Sequence, residues 1–359
     1  MIACDALVVG GGPAGSTAAR ALGRAGWNVV VMDRATFPRE KVCAGWLTPE
    51  VFTLLELDPA EYKATGLTLQ EFTGFRTGVL ERPLVETRYP QVVSYAIRRY
   101  EFDAFLLRRA QVRLLEHTPL ATLARVGDRW IANGEIEARV VIGAGGHFCP
   151  VARHLRGGTE AAAPVVAKEA EFLLEGHDTR VAPDTPELFF CRDLEGYGWC
   201  VRKGDYVNIG IGRRDNHDFG AHVRDFTDFL ERTQVLTGAS RVKWRGHAYL
   251  ASGTGPRPLV GDGLLLVGDA AGLAYPESGE GIRPAIESGL LAARTLIEGS
   301  GRADATALEP YAQAVRRLHP PASPSPAPVR GAIRALGRAL LGSPFFARHV
   351  VLDRWFLRS

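Results

Sequence analysis

The stretch ALVVGGGPAG, residues 6–15, decides the fold, because an apolar strand runs directly into a G-x-G-x-x-G turn. An alanine-rich helix follows, and residues 28–32 then form a second apolar segment. In such a turn Gly10 permits the sharp bend, Gly12 lets the backbone approach a pyrophosphate, and Gly15 lets helix and strand pack closely. The pattern predicts a βαβ unit of a Rossmann-type domain with a parallel sheet.

Asp33 ends the second strand, close to the spacing of about 20 residues at which an acid holds the adenosine ribose hydroxyls of a dinucleotide. A glycine turn with no nucleotide is the alternative. The strand, the helix and the terminal acid follow one another in the order and at the spacing of a nucleotide-binding βαβ unit, and this disfavours the alternative.

A second glycine segment, LLVGDAAG at residues 265–272, favours FAD over NAD. Asp269 follows a strand and a glycine, so its carboxylate can reach a ribityl hydroxyl. Gly279, Glu280, Gly281 and Ile282 then open a helix, whose N-terminal partial positive charge stabilises the electron-rich N1–C2=O edge of a reduced flavin. A plain helix cap is the alternative role of Asp269.

The composition excludes several classes of function. With 43 Lys+Arg against 40 Asp+Glu, the charge is too balanced for a protein whose main partner is nucleic acid. The five cysteines show no zinc or disulfide spacing, so we expect no metal and a reducing compartment. The first strand begins near Met1 without a leader, and no apolar run reaches the roughly 20 residues of a membrane span, so we expect a cytoplasmic protein.

Alternating apolar and polar residues in the middle of the chain predict an antiparallel sheet, and we expect a mixed α/β and α+β fold. The predicted segments are an FAD-binding part over 1–75, 99–163 and 256–318, substrate-domain strands over 76–98, an antiparallel-sheet substrate domain over 164–255, and a Pro-rich linker with a basic amphipathic helix over 319–359. That final helix either packs over the catalytic domain or makes peripheral contact with the inner face of a membrane.

The glycine segments, together with Arg99-x-x-Phe102-Asp103, resemble the p-hydroxybenzoate hydroxylase-type flavoprotein superfamily. Within it, the segments KVCAGW (41–46), GYGW (196–199) and GDYVNIG (204–210) are most similar to the geranylgeranyl reductase family of FAD-dependent oxidoreductases. The resemblance extends to about residue 300.

The resemblance implies that Arg99 contacts the phosphate or ribityl part of FAD and that residues 41–45 line the isoalloxazine. A surface ion pair with Asp103 is the alternative for Arg99. Tyr197 and Trp199 would face the substrate cavity, with aromatic core filling as their alternative. Hydroxylases of the superfamily carry G-A-D-G where this chain has Gly145 in place of the acid, which puts direct reduction by NADPH in doubt.

Cys43 and Cys149 either form a redox pair beside the flavin or are buried thiols. Proton donors are sought among Cys43, Tyr197 and Glu280, and Glu280 has helix capping as its alternative. The candidate site residues are, for catalysis, Cys43, Tyr197 and Glu280; for FAD, Gly10, Gly12, Pro13, Ala14, Gly15, Asp33, Arg34, Lys41, Cys43, Ala44, Gly45, Arg99, Gly143, Ala144, Gly145, Gly268, Asp269, Ala270, Gly279, Glu280, Gly281 and Ile282; and for substrate, Trp46, Tyr197, Trp199, Tyr275 and Pro276.

The resemblance implies an oxidoreductase that reduces or dehydrogenates carbon–carbon bonds of an apolar small molecule or lipid, isoprenoid-like or polycyclic. A flavin monooxygenase acting on an aromatic or polyketide-like molecule is the first alternative, and a non-redox FAD-dependent cyclase or isomerase is the second. NAD(P)H, ferredoxin and quinone remain open as electron donors.

Overall fold

The computed structural model describes residues 1–157, 164–215, 217–252, 257–320 and 336–358. Contacts divide the chain into two compact units, one formed by 1–40, 100–163 and 249–322, the other by 41–99, 164–248 and 323–359. Residues 41–75, which the sequence analysis had grouped with the FAD-binding part, fall in the second unit. Residues 321–335, within the segment 319–359 predicted as a Pro-rich linker and basic helix, lie outside the described residues.

The strands are, in chain order, β1 (Ile2–Val9), β2 (Val29–Met32), β3 (Trp46–Leu47), β4 (Leu69–Phe72), β5 (Gly74–Val79), β6 (Val85–Arg88), β7 (Ser94–Ile97), β8 (Arg113–Leu115), β9 (Leu123–Val126), β10 (Arg129–Ala132), β11 (Ile136–Gly143), β12 (Val165–Leu173), β13 (Glu187–Phe190), β14 (Gly196–Lys203), β15 (Tyr206–Arg213), β16 (Arg245–Tyr249), β17 (Val260–Gly261) and β18 (Leu264–Leu266).

The helices are α1 (Pro13–Arg24), α2 (Pro49–Leu54), α3 (Pro59–Ala64), α4 (Arg99–Arg109), α5 (Pro150–Arg156), α6 (Phe219–Arg232), α7 (Ile282–Glu298) and α8 (Ala305–Leu318), with short 3-10 turns at Ala239–Arg241 and Gly268–Ala270. Pro344–Phe346 and the π-helix Ala347–Leu357 together form what we call the C-terminal helix.

The first unit is built on a twisted sheet in the order β17-β18-β11-β1-β2-β8, in which β18, β11, β1, β2 and β8 run parallel. The segments 6–9 of β1, 29–32 of β2 and 140–142 of β11 are apolar without interruption and buried, as is typical of parallel strands that helices cover on both faces. Leu7, Val30, Val141 and Leu265 are fully buried in this core. The predicted Rossmann-type sheet is confirmed, and α7 begins at Ile282, where the sequence analysis placed the start of a helix.

The second unit contains a sheet in the order β16-β12-β15-β14-β13-β5-β6. Strands β12 to β15 pair antiparallel as predicted, whereas β5 joins β13 in parallel. Alternate residues point to opposite faces. One face packs under α6 through Phe189, Ile209 and Phe226, and the other carries Glu169, Asn208 and their neighbours, described below.

The C-terminal helix packs within the second unit. Val351 and Leu352 are fully buried, and the hydroxyl of Tyr89 donates to Asp353 at 2.6 Å. Arg348 lies over the Tyr89 ring at 4.9 Å. Among the described residues, no helix is both long and apolar enough to cross a membrane.

Candidate functional site

The glycine turn after β1 has the geometry that its sequence predicted. Gly10 has a φ of +116°, and a side chain there would collide with the carbonyl oxygen of Ala144. A Cβ at Gly15 would meet the carbonyl oxygen of Gly10, so α1 approaches β1 as closely as backbone permits. Gly12 is different, because a Cβ there would meet only the guanidinium of Arg39, at 3.3 Å. The backbone at Gly12 is therefore open to a phosphate.

Asp33 is buried at the end of β2 and organises this turn. Its Oδ2 accepts the amide of Gly11 at 2.7 Å, and its Oδ1 accepts the amide of Ala35 at 2.9 Å. An ionised carboxylate has about four lone-pair positions, so each oxygen keeps capacity for a ribose hydroxyl. The next residue, Arg34, is exposed.

The three predicted glycine segments meet at the carboxyl edge of the parallel sheet. The amide of Ala144 donates to the carbonyl of Val9, and the amide of Val267 donates to that of Gly143. Gly268 has a φ of +60° and donates its amide to Ser288 of α7 at 3.0 Å. The ends of β1, β11 and β18 are therefore adjacent.

The start of α7 lies against the second glycine segment. The Oδ1 of Asp269 is 3.2 Å from where a Cβ would stand on Gly281, and Ile282 is buried. The Oε1 of Glu280 accepts the amide of Arg283 at 2.7 Å, so this side chain caps the helix. A 17-residue helix thus directs its N-terminus towards Asp269.

These features fit FAD. Open backbone at Gly12, a ribose-competent Asp33 and an acid beside a helix N-terminus provide sites for a pyrophosphate, a ribose and a ribityl chain. The fit rests on the first unit alone, where all of these residues lie.

In the second unit, Cys43 sits in a loop held to the polar face of the sheet. The amide of Gly45 donates to Cys43 Sγ at 3.3 Å, and Gly45 has a φ of +66°. A Cβ on Gly45 would lie 2.8 Å from Lys203 Nζ and against the carbonyl of Ile97. Only glycine fits here. At the start of the loop, Lys41 Nζ lies 2.6 Å from Nε2 of His247, a contact that requires an unprotonated ring nitrogen.

Asn208 on β15 links that loop to two glutamates of β12. Its Oδ1 accepts the indole N–H of Trp199 at 2.7 Å, which turns the amide nitrogen towards the glutamates. That nitrogen lies 3.2 Å from Glu169 Oε2, 3.3 Å from Glu171 Oε2 and 3.4 Å from the carbonyl oxygen of Cys43.

The two glutamates have opposite electrostatic environments. Burial raises the pKa of Glu169, and the charge of Lys203 and the Asn208 hydrogen bond only partly offset it. Burial also acts on Glu171, but Lys203 at 2.6 Å and Arg98 at 3.0 Å hold its pKa below the usual range. Glu171 is therefore held in its charged form by two neighbouring cations.

Aromatic side chains extend from this polar group along the same unit. Trp46 is stacked between Phe75, at 4.9 Å, and Phe356 of the C-terminal helix, at 5.3 Å. Tyr197 meets Phe356 edge-on at 5.3 Å and is partly exposed. Trp46 and Trp199 are buried, whereas Tyr197 offers surface to a ligand.

The cysteines are all free thiols, and Cys43 is the one that is not buried. Cys149 is fully buried at the start of α5; burial raises its pKa, and the amides of Ala152 and Gly145 oppose that effect. A Cβ on Gly145 would lie 3.2 Å from Cys149 Cα, so there is little room for an acid at that position.

The remaining predicted residues are distributed as follows. Arg99 is buried at the start of α4 and belongs to the second unit, and Asp103 of the same helix pairs with Arg39 at 3.2 Å. Tyr275 is buried with its ring 5.6 Å from that of His319, and Pro276 is half-buried in the same unit.

Sequence reasoning missed Arg39, Glu169 and Asn208 as functional candidates. Arg39 stands beside Gly12 but lies outside the glycine motif. Glu169 and Glu171 alternate with alanine, a pattern typical of a strand with one face in water. Asn208 lay within the quoted GDYVNIG segment, and its position two residues from a glycine in a strand was the available signal.

Comparison with known proteins gives the class. A family model described as an FAD binding domain matches residues 3–96. The chain is 30% identical over 333 residues to digeranylgeranylglycerophospholipid reductase 2 of Methanothermobacter thermautotrophicus, covering 86% of this chain and 82% of the relative. It is 31% identical over 301 residues to menaquinone reductase of Mycobacterium tuberculosis, covering 74% and 70%.

Among solved structures, a geranylgeranyl bacteriochlorophyll reductase-like protein from Thermoplasma acidophilum superposes with a TM-score of 0.73 at 22% identity, over 95% of this chain and 88% of that one. Fold, glycine turns and relatives together define an FAD-dependent oxidoreductase. Within that class, the chain belongs to the geranylgeranyl reductase family.

Proposed function

We propose that this chain reduces carbon–carbon double bonds of an apolar, isoprenoid-like substrate. The observation that carries the proposal is that the polar groups beside Cys43 are paired with one another. Trp199 bonds Asn208, and Lys203 bonds Glu171. Because these groups are already satisfied, the surface left for a ligand is largely aromatic, and such a surface favours an apolar molecule.

The names of the relatives support the same class of substrate. One is named as a reductase of a digeranylgeranyl lipid and another as a reductase of menaquinone. A substrate with an isoprenoid chain is therefore the first to test.

In this proposal FAD, when bound, supplies hydride-transfer chemistry. Asp33 holds the adenosine ribose, the open backbone at Gly12 receives the pyrophosphate, and Asp269 holds the ribityl chain. The N-terminus of α7 stabilises negative charge on the pyrimidine end of the ring. The roles assigned to Lys41, Cys43, Ala44 and Gly45 beside the ring, and to Arg99 at the phosphate or ribityl chain, are part of the proposal.

For the proton we favour Cys43 over the other two candidates. Glu280 already serves α7 as a cap, and its carboxylate accepts the amide of Arg283. Tyr197 packs against Phe356 and suits contact with an apolar chain. Cys43 is the partly exposed thiol, in a loop that the polar network holds in place.

The electron donor in this proposal is a ferredoxin or a quinone rather than NADPH bound directly. The supporting observation is the crowded turn at Gly145, where a Cβ would press on Cys149 at 3.2 Å. An acid at that position would require Cys149, just before α5, to shift by a few tenths of an ångström.

The decisive experiment incubates the dithionite-reduced protein anaerobically with a geranylgeranyl lipid while flavin absorbance and product mass are recorded. We expect flavin reoxidation together with a product that has gained two hydrogen atoms. A product that gains oxygen only after air is admitted would establish the monooxygenase instead, and a product of unchanged mass would establish the cyclase or isomerase. Reduced protein incubated without lipid is the control for spontaneous reoxidation.

A further inference from the structure

The ion pair between Arg39 and Asp103 lies beside the glycine turn of the first unit. Asp103, on α4, is fully buried, and its Oδ2 is 3.2 Å from Nη2 of Arg39. The same Nη2 lies 3.3 Å from where a Cβ would stand on Gly12. One nitrogen of the guanidinium is therefore close both to a buried carboxylate and to the turn where the pyrophosphate is expected.

Packing holds the Arg39 side chain in this place. The guanidinium lies over the ring of Phe37, with Cζ 4.7 Å from the ring centroid. Phe37 is itself buried, and its ring is 3.1 Å from where a Cβ would stand on Gly11. Leu107, one turn further along α4 than Asp103, approaches Gly11 to 2.9 Å in the same way. The Arg39 side chain is only 19% exposed, although it belongs to a loop.

This arrangement suits recognition of a phosphate. A guanidinium has more N–H donors than one carboxylate can accept, and its planar fork also matches phosphate oxygens. Arg39 can therefore bond Asp103 and still donate to a phosphate at Gly12, where the N-terminus of α1 offers amide donors as well. The carboxylate has the wrong charge to bind phosphate itself. What it contributes is a fixed position for the guanidinium, because a buried carboxylate that loses its partner is costly.

We propose that Arg39 binds the pyrophosphate of FAD and that Asp103 is its positioning residue, which holds the guanidinium beside the Gly12 turn before the cofactor arrives. The inference deepens the proposed function, in which Gly12 receives the pyrophosphate. The ligand that gains from Arg39 is a nucleotide with a diphosphate, whereas adenosine alone gains nothing from it.

Asp103 gives the proposal a distinctive sign. If its carboxylate acted only through its charge, removing that charge would strengthen the binding of a phosphate nearby. If it positions Arg39, then Asp103→Asn should weaken FAD binding, because the guanidinium can turn towards solvent.

The first experiment titrates the full-length apoprotein with FAD and follows flavin fluorescence. Arg39→Met should raise the Kd for FAD about 10- to 100-fold, and Asp103→Asn should raise it about 3- to 10-fold. Arg39→Lys keeps the charge but not the planar fork, so its Kd should fall between those of the wild type and Arg39→Met. Adding Asp103→Asn to Arg39→Met should not weaken binding again, because no guanidinium remains to be held.

Arg125→Met is the matched control. Arg125 pairs with Asp262 at 3.0 Å in the same unit, and both side chains are exposed. The variant removes a cation on β9 rather than at the glycine turn, so it should bind FAD like the wild type. Thermal unfolding of each apoprotein reports whether it is folded. If Arg39→Met alone fails to fold, the double variant with Asp103→Asn leaves no buried carboxylate unpaired and should show the same loss of FAD affinity.

The second experiment separates a phosphate contact from a general loss of structure by using ADP and adenosine as competitors of FAD. The wild type should bind ADP more tightly than adenosine. Arg39→Met should lose most of that preference while its affinity for adenosine stays the same.

Two outcomes overturn the inference alone: an Arg39→Met variant that keeps the preference for ADP, and an Asp103→Asn variant that binds FAD more tightly than the wild type. If the wild type itself shows no preference for ADP, the placement of the pyrophosphate at Gly12 fails as well. Neither experiment contains an alkene, so a failure of double-bond reduction would leave the result on Arg39 and Asp103 unaffected.

Discussion

The indole nitrogen of Trp199 donates to Oδ1 of Asn208 at 2.7 Å, and this bond fixes which way the Asn208 amide faces. With its oxygen occupied, Asn208 presents its nitrogen to Glu169 and to the Cys43 carbonyl. A side chain predicted to touch substrate is therefore buried and orients the residue that holds the Cys43 loop.

Trp199→Phe should loosen that loop. The variant leaves the buried Asn208 oxygen without its donor, which costs about 1–3 kcal/mol in the free energy of unfolding, measured by urea denaturation. Alkylation of Cys43 on the native protein, followed by mass spectrometry, should become faster because the loop is looser. The other cysteines are buried, so the reaction reports on Cys43. Trp130→Phe is the control: it removes an indole bond to the Asp262 carbonyl at 3.1 Å and should not alter Cys43 alkylation. Equal alkylation in wild type and Trp199→Phe would contradict the assignment.

Asp33→Asn should weaken FAD binding. An amide cannot accept the Gly11 and Ala35 N–H groups with both of its terminal atoms, and it loses the charge that favours bonds to ribose hydroxyls. A charged hydrogen bond is worth about 1.5–3 kcal/mol, so Kd should rise roughly tenfold to a hundredfold. Titration of the apoprotein with FAD, followed by flavin fluorescence, measures it. Asp128→Asn, at an exposed carboxylate, should bind FAD like the wild type.

Local signals were sufficient to predict most of the first unit. The G-x-G-x-x-G turn, the apolar strands and the start of α7 depend on signals within a few residues, and α7 begins at Ile282 as expected. The pairing of β5 with β13 was beyond reach, because Arg76 meets Glu187 across a long sequence separation and neither segment encodes its partner. Such pairing depends on tertiary packing.

The sequence likewise predicted only part of the candidate site. The FAD-binding positions Gly12, Asp33 and Asp269 follow from motifs with fixed spacing. The polar group beside Cys43 contains Glu169 and Asn208, which come from different strands. An alternating Glu-Ala-Glu segment gives no sign that its polar face will be buried. Burial is a property of the assembled sheet, and it is what makes Glu169 chemically distinct.

Gly289→Ala should destabilise the first unit. Gly289 lies in α7 where a Cβ would stand 2.5 Å from the carbonyl oxygen of Ala14 in α1. Separating the helices costs about 1–3 kcal/mol, which exceeds the roughly 1 kcal/mol that alanine gains in helix propensity. The control is Gly220→Ala in α6, where the nearest atom is the flexible tip of Arg224 at 3.5 Å. Thermal unfolding should show a lower Tm for Gly289→Ala and no decrease for Gly220→Ala.

Phe345→Ser tests the membrane contact that the sequence analysis gave as one alternative for the C-terminal helix. Phe345 is 72% exposed, and the same C-terminal helix carries the exposed Arg354, a combination suited to an anionic lipid surface. Inserting one phenylalanine is worth about 1.5–3 kcal/mol, so the variant should bind phosphatidylserine-containing vesicles roughly tenfold or more weakly in co-sedimentation. Phe148→Ser, which alters a 60% exposed phenylalanine of the first unit, should bind as the wild type does. If the wild type stays in the supernatant, the helix serves packing alone.

The opposite pKa directions of Glu169 and Glu171 predict opposite effects of pH on stability. The folded-state pKa of Glu169 lies above the ordinary 4.5, so its contribution is fully present below 4.5 and is lost as pH rises through the folded value. Glu171, with its pKa lowered by Lys203 and Arg98 against the effect of burial, contributes stability above 4.5 that is lost as pH falls. Urea unfolding should therefore show Glu169→Gln gaining on the wild type as pH rises from about 4.5 towards 8, because glutamine mimics the uncharged acid and never has to ionise in the buried site. Glu171→Gln should show the reverse, with the wild type gaining on the variant as pH rises from acid towards 4.5. Parallel curves for Glu169→Gln and wild type across that range would mean that Glu169 titrates as it does in the unfolded chain, and Asn208 would then be bonded to an ordinary carboxylate.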